Sequence, residues 1–271
     1  NCSISFTPQM GPVSIKNANM ADNSQLQLFT ANKISFRYYL SGSTIKQRRK
    51  DLFIINNSAN LLYNSPINLP YIINFPPAVG DLNEDNIEEV AYSGINCDEQ
   101  MNTCGPHLGG TVGLLESNGI SLPNWPKSTE PCESFIDPPV FGDIDNDNKK
   151  EIIVSSSVYC NTDAGYPRPA IYVWKDNGNL MHKLVCEGST NNSLSVSLAD
   201  FNSDNIAEIV ALSDANLCIF DGHGTKISKI ALDETYDTVQ NMVTQPLMSD
   251  INGDSIPEIF FLRDTTSNTL V

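Results

Sequence analysis

Four stretches of this 271-residue chain place oxygen-bearing side chains at alternate positions: GDLNEDNIEEV ending at Val90, GDIDNDNKKEI ending at Ile152, ADFNSDNIAEI ending at Ile209 and SDINGDSIPEI ending at Ile259. Counted from the first acid, positions one, three, five and nine are Asp81, Asn83, Asp85 and Glu89; Asp143, Asp145, Asp147 and Glu151; Asp200, Asn202, Asp204 and Glu208; and Asp250, Asn252, Asp254 and Glu258. On a tight loop such alternation turns every second side chain toward one point. Several oxygens converging at about 2.3 to 2.6 Å are what a hard divalent cation needs. Position seven, which is Ile87, Lys149, Ile206 or Ile256, would add its main-chain carbonyl, and the glutamate at position nine would close the site bidentately. The chemistry expected is therefore the binding of about four Ca2+ ions. Magnesium fits less well, because it tolerates all-protein cages poorly.

The other positions of the motif agree with that assignment. Position two is apolar (Leu82, Ile144, Phe201, Ile251), as expected of residues that face away from a cation and pin the loop to a core. Position six holds Asn86, Asn148, Asn205 or Ser255, and asparagine is the non-glycine residue that best tolerates the left-handed backbone a sharp turn requires. The competing explanation is an acidic turn with no metal, since Asp and Asn favour turns for their own reasons. Four copies with the same alternation and a Glu at the same ninth place favour the cation. Three copies have a neutral amide at position three and the second has Asp145, so carboxylate count alone predicts tightest binding at the Asp143 loop. The expected role of the metal is structural, and four divalent ions would move the formal charge from −16 to −8.

The elements that carry these loops repeat with them. Asp81, Asp143, Asp200 and Asp250 stand 62, 57 and 50 residues apart by subtraction of their numbers, the length of a four-stranded sheet unit with variable connections. A further step back reaches ANMADNSQLQL, a degenerate copy over residues 19–27. Its loop positions, Asn19, Ala21, Asn23 and Gln27, hold no carboxylate. Between the loops come strand–turn–strand segments: LFIINNSANLLYNSP, GTVGLLESNGISLPNWP, IYVWKDNGNLM and LCIFDGHGTKI. Their turns at Asn118 with Gly119, Asn177 with Gly178 and residues 221–224 suit short hairpins. Residues 233–242 are the one candidate for a helical turn.

On these loops, and on the run from LPNWP to PPVFGDIDNDNKKEIIV, the chain resembles the FG-GAP and VCBS repeats of integrin-type propellers, over nearly its whole length. The resemblance implies an all-β fold, a single β-propeller domain over residues 1–271 built of four-stranded blades. Its repeats centre on loops 19–27, 81–89, 143–151, 200–208 and 250–258. Five blades are visible, either closed by joining the first strand to the last sheet or forming part of a seven-bladed propeller.

Composition narrows the function. Sixteen basic against 32 acidic residues argue against a nucleic-acid backbone or an anionic membrane surface as partner. No apolar run is long enough to insert in a bilayer, and a chain starting at Asn1 is expected to be processed or excerpted. Seven cysteines without a CxxC pair, and sequons at Asn1, Asn56 and Asn191, point to an extracellular, secreted or cell-surface location. Cys97 and Cys104 are close enough for a local disulfide; Cys132, Cys160 and Cys186 compete for one another, and Cys2 and Cys218 are either paired or buried. His107, His182 and His223 have no partners at ligand spacing, and no catalytic motif occurs. Trp125 and Trp174 are expected to pack between strands rather than stack on sugar. Two functions remain in view. One is an adhesion or structural module that binds an extracellular protein or glycan, or self-assembles. The other is a carbohydrate-active enzyme or carbohydrate-binding domain resembling polysaccharide lyases.

Overall fold

The computed structural model describes residues 4–16, 27–40, 43–56, 61, 67–69, 71–73, 75–98, 103–104, 106–135, 137–158, 168–187, 194–213, 215–232 and 245–261. Across them the protein is all-β, in several antiparallel sheets, with one short 3-10 turn at Pro106–Leu108. The expected helical turn at 233–242, the sequons at Asn1 and Asn191, and loop positions Asn19, Ala21 and Asn23 lie outside the described residues. The chain divides into two compact units, residues 1–139 and 140–271, and the division falls between two copies of the motif rather than within one.

The first unit opens with strands β1 (Ile4–Lys16), β2 (Gln27–Leu40), β3 (Ser43–Asn56) and β4 (Ile67–Asn68), which form one sheet in that order. Gln27 begins β2 as the ninth-position glutamates begin their own strands. Strands of 13 and 14 residues nevertheless set this sheet apart from the shorter ones that follow. Next come β5 (Tyr71–Ile72), β6 (Ala78–Gly80), β7 (Glu89–Asp98), β8 (Thr103–Cys104), β9 (Gly110–Leu115), β10 (Lys127–Ser128) and β11 (Glu133–Phe135). β7 is the centre of a sheet that includes β5, β6, β8, β9 and β10, and it pairs directly with the first four. Leu52, Ile54, Leu69, Val90, Tyr92 and Leu115 bury one apolar cluster here. Cys97 and Cys104 face each other directly across the β7–β8 pair.

In the second unit β12 (Val140–Gly142), β13 (Glu151–Val158), β14 (Ile171–Trp174) and β15 (Leu180–Leu184) make an antiparallel meander. A second follows: β16 (Ser195–Ala199), β17 (Glu208–Leu212), β18 (Asn216–Phe220) and β19 (Lys226–Ala231). The pair β20 (Leu247–Ser249) and β21 (Glu258–Phe260) completes the described chain. Strand sequence matches depth. β13 reads EIIVSSSV and is buried at every residue, as an inner strand covered on both faces must be. β19 is largely exposed and β15 partly so, and they carry Lys183, Lys226 and Lys229, charges that discourage edge-to-edge pairing.

First strands of successive sheets lie close together: β16 is in contact with β12, β13 and β20. The Gln245 side chain donates to the Val196 carbonyl at 3.0 Å, and the Ser197 hydroxyl donates to the Pro246 carbonyl. Between the meanders, Ile144, Ile153, Val173, Val196, Ile209 and Phe220 belong to one buried cluster. Cys186 and Cys218 form a disulfide inside it, with Cα atoms 5.9 Å apart. That pair overturns two expectations, Cys186 as a rival partner near the Asp143 loop and a Cys2–Cys218 bond. Both cysteines belong to that buried cluster, and their distance from the loop in sequence was a poor guide to their pairing. Cys132 is also disulfide-bonded. Trp125 and Trp174 are buried, and Trp174 stacks on Tyr172 with ring centroids 5.2 Å apart, which is the packing role expected of them.

Candidate metal centre

Each acidic motif connects two paired antiparallel strands: β6 to β7, β12 to β13, β16 to β17 and β20 to β21. Local polar chemistry folds all four alike. The position-one aspartate accepts from the amide of position six: Asn86 to Asp81 at 3.0 Å, Asn148 to Asp143 at 2.9 Å, Asn205 to Asp200 at 2.9 Å and Ser255 to Asp250 at 2.8 Å. The position-five aspartate accepts from the amide of position seven, where Ile87, Lys149, Ile206 and Ile256 donate to Asp85, Asp147, Asp204 and Asp254 at 2.7 to 2.9 Å. Position six has positive φ throughout, 65° at Asn86 and Asn148, 67° at Asn205 and 71° at Ser255, as its residue types predict. Position four is left-handed as well, at Glu84, Asn146, Ser203 and Gly253. Sequence reasoning missed that second turn; Asn146 in the second copy and Gly253 in the fourth were its signals.

The ninth-position glutamates do something the spacing did not foretell. One oxygen of each accepts the amide of position two, from Leu82, Ile144, Phe201 and Ile251 to Glu89, Glu151, Glu208 and Glu258 at 2.8 to 3.0 Å. This hydrogen bond ties the start of the loop to the start of the next strand. Glu89 and Glu151 are only 3% and 1% exposed. Burial pushes the carboxyl groups of both up to about 7, opposed by the backbone hydrogen bond and reinforced by the neighbouring aspartates. Burial likewise raises Glu208. Asp250, in the exposed fourth loop, is held below its ordinary value by hydrogen bonds from the Ser255 and Gly253 amides.

The second loop draws its acids closest together. Carboxylate oxygens of Asp143, Asp145 and Glu151 all lie within 4.8 Å of one another, the one such group of three among the described residues. Two ligands on opposite sides of a calcium ion at 2.3 to 2.6 Å stand at most about 4.6 to 5.2 Å apart, so the three oxygens match the reach of a single ion. Asp145 Oδ1 is buried and has no hydrogen-bond partner, an acceptor whose hydrogen-bonding capacity the protein leaves unused. These residues fit the metal.

Lys175 also enters this loop, and no spacing rule pointed to it. Its ammonium donates to Asp145 Oδ2 and to Asp147 Oδ2, at 2.7 Å each. These contacts hold the Asp147 carboxyl below the usual carboxylate range and push the lysine above its own. In the other copies the position-three asparagine supplies the donor: Asn83 Nδ2 to Asp85 at 3.2 Å, Asn202 Nδ2 to Glu208 at 3.2 Å and Asn252 Nδ2 to Glu258 at 2.6 Å.

Position two follows expectation in the first two loops, where Leu82 and Ile144 are fully buried. Phe201 is half-buried against the cluster of Val210, Leu212 and Leu217. Ile251 departs from it, being 68% exposed, because among the described residues no sheet follows β21 to cover it. The histidines are dispersed: His107 and His223 are exposed, and His182 Nε2 lies 3.2 Å from the Gly222 carbonyl.

No protein-family model matches the chain, and no curated protein matches it. Among solved structures it is similar to the V. cholerae biofilm matrix protein Bap1, with 13% identity and a TM-score of 0.35 over 82% of this chain and 39% of that one. The chain thus spans well under half the length of that relative, and a TM-score of this size does not establish a shared fold. No described helix is long and apolar enough to cross a membrane.

Proposed function

We propose that this chain is a secreted or cell-surface calcium-binding β-propeller of the FG-GAP/VCBS type, an adhesion or structural module whose blades are stiffened by calcium. The observation that carries the reading is the convergence of Asp143, Asp145 and Glu151 within 4.8 Å, with one Asp145 oxygen buried and unpartnered. Four loops built on one hydrogen-bond plan extend the reading to about four ions. Antiparallel meanders with their first strands β12, β16 and β20 in succession support blades arranged about an axis. An oxidising exterior suits the buried Cys186–Cys218 disulfide. The partner is an extracellular protein or glycan, or a further copy of the chain.

At each site the protein's own residues set the geometry. Asp143 orders the turn through the Asn146 and Asn148 amides, and Glu151 fixes the strand end through the Ile144 amide. The cation would supply the positive charge that lets these carboxylates stay ionised while buried. Metal counting on protein equilibrated with calcium and then dialysed tests the reading. About four calcium ions per chain is the expected result, and none would overturn it.

A further inference from the structure

The three hairpins that follow the first three acidic loops share one register. Leu115 pairs with Val90, Trp174 with Ile152 and Phe220 with Ile209, so the next residues, Glu116, Lys175 and Asp221, occupy equivalent places beside a ninth-position glutamate. The turns are alike too: the amides of Gly119, Gly178 and Gly224 donate to the carbonyls of Glu116, Lys175 and Asp221. Two of the three residues are acids that spend their oxygens on their own turns, Glu116 on the Asn118 amide group and Asp221 on the His223 and Thr225 amides. The third is a lysine, and it reaches the loop. It occurs in the one copy whose position three is an aspartate, which cannot donate a hydrogen bond as Asn83, Asn202 and Asn252 do. Extra carboxylate and extra ammonium therefore come together.

We propose that Lys175 is a tethered counter-cation of the second loop, which holds Asp145 and Asp147 in place of a divalent ion and must swing away before calcium can bind there. This rests on the calcium reading above. Asp145 keeps Oδ1 open, but both oxygens of Asp147 are engaged, Oδ1 by the Lys149 amide and Oδ2 by the ammonium, so position five can ligate a divalent ion at full strength only once Lys175 withdraws. The lysine side chain is partly exposed, so it has solvent into which to retreat. The consequence reverses the order given by counting carboxylates: the Asp143 loop fills last of the buried loops, and it is the one that keeps its shape when calcium is scarce.

Calorimetric titration with calcium of the whole chain, as wild type, Lys175→Met, Lys175→Arg and Lys229→Met, tests this, alongside melting temperatures in chelator and in saturating calcium. Lys175→Met is expected to tighten one site about tenfold and leave the rest unchanged. Lys175→Arg, which keeps the competing charge, and Lys229→Met, which removes a charge elsewhere, should titrate like wild type. In chelator Lys175→Met should melt below wild type, and in saturating calcium the order should invert. Unchanged affinities in Lys175→Met, or an equal melting deficit in both conditions, would overturn the lysine proposal and leave the calcium reading standing. Absence of calcium binding by every variant would overturn both.

Discussion

Loops 143–151 and 250–258 carry the same three backbone-to-carboxylate hydrogen bonds, yet Ile144 is 1% exposed and Ile251 is 68% exposed. Loop shape is thus a local property of the Asp, Asn and Glu spacing, while anchoring comes from the neighbouring sheet. Around the second loop that neighbour is visible in detail. The Asp143 carbonyl accepts from the Ala207 amide at 3.4 Å, and the hairpin turn at Gly222 comes so near the Ile144 carbonyl that a Cβ there would collide with it. No described segment stands in the same relation to the fourth loop. The same sequence motif therefore makes a buried, electrostatically tuned site in one place and a solvent-facing turn in the other.

The largest expected effect tests that contrast directly. Ile144→Ala should cost about 2 to 5 kcal/mol of unfolding free energy, as cavities in closed cores do, whereas Ile251→Ala should stay within about 0.5 kcal/mol. Denaturant unfolding of the two variants measures both, and equal losses would show that the fourth loop is covered as well.

Acidity should separate the loops next. Glu89 and Glu151 have folded-state values raised to about 7 from an ordinary value near 4.5. The folded chain thus holds their protons more tightly than the unfolded chain. Stability from these groups is fully present below about pH 4.5 and is lost as pH rises through 7. Chelated protein should accordingly melt higher at pH 5 than at pH 7.5, and Glu151→Gln should flatten that slope. A slope of opposite sign would mean that the buried glutamates are stabilised as anions by groups other than a cation.

Much of this was legible in the sequence because it is local. Alternating acids, apolar position two and the left-handed position six are written within nine residues, and the hairpin turns announce themselves through Gly119, Gly178 and Gly224, all at positive φ. What depends on distant parts of the chain was not legible. Lys175 meets Asp145 across 30 residues, the cysteines pair across 32, and the exposure of Ile251 depends on what lies beside it. The strands of 13 and 14 residues in the first sheet likewise escaped a period derived from the acidic copies.

The smallest expected effect concerns backbone strain at position six. Ser255→Gly should stabilise the fourth loop by about 1 kcal/mol, since a non-glycine residue at φ 71° bears a left-handed penalty. Asn148→Gly, starting from the more tolerant asparagine at φ 65°, should gain less. Hydrogen-exchange protection of the two loops measures the difference, and a larger gain at Asn148 would mean that its side chain contributes nothing to the turn.

The measurement that bears most directly on the account is thermal unfolding of one preparation, first with saturating calcium and then with excess chelator. Preferential binding to the folded state must raise its melting temperature, by an amount that grows with the logarithm of free calcium above Kd. A large calcium-dependent rise, diminished in Glu151→Gln, is the outcome the account requires. Identical melting curves in calcium and chelator would contradict it and reduce the four loops to acidic turns.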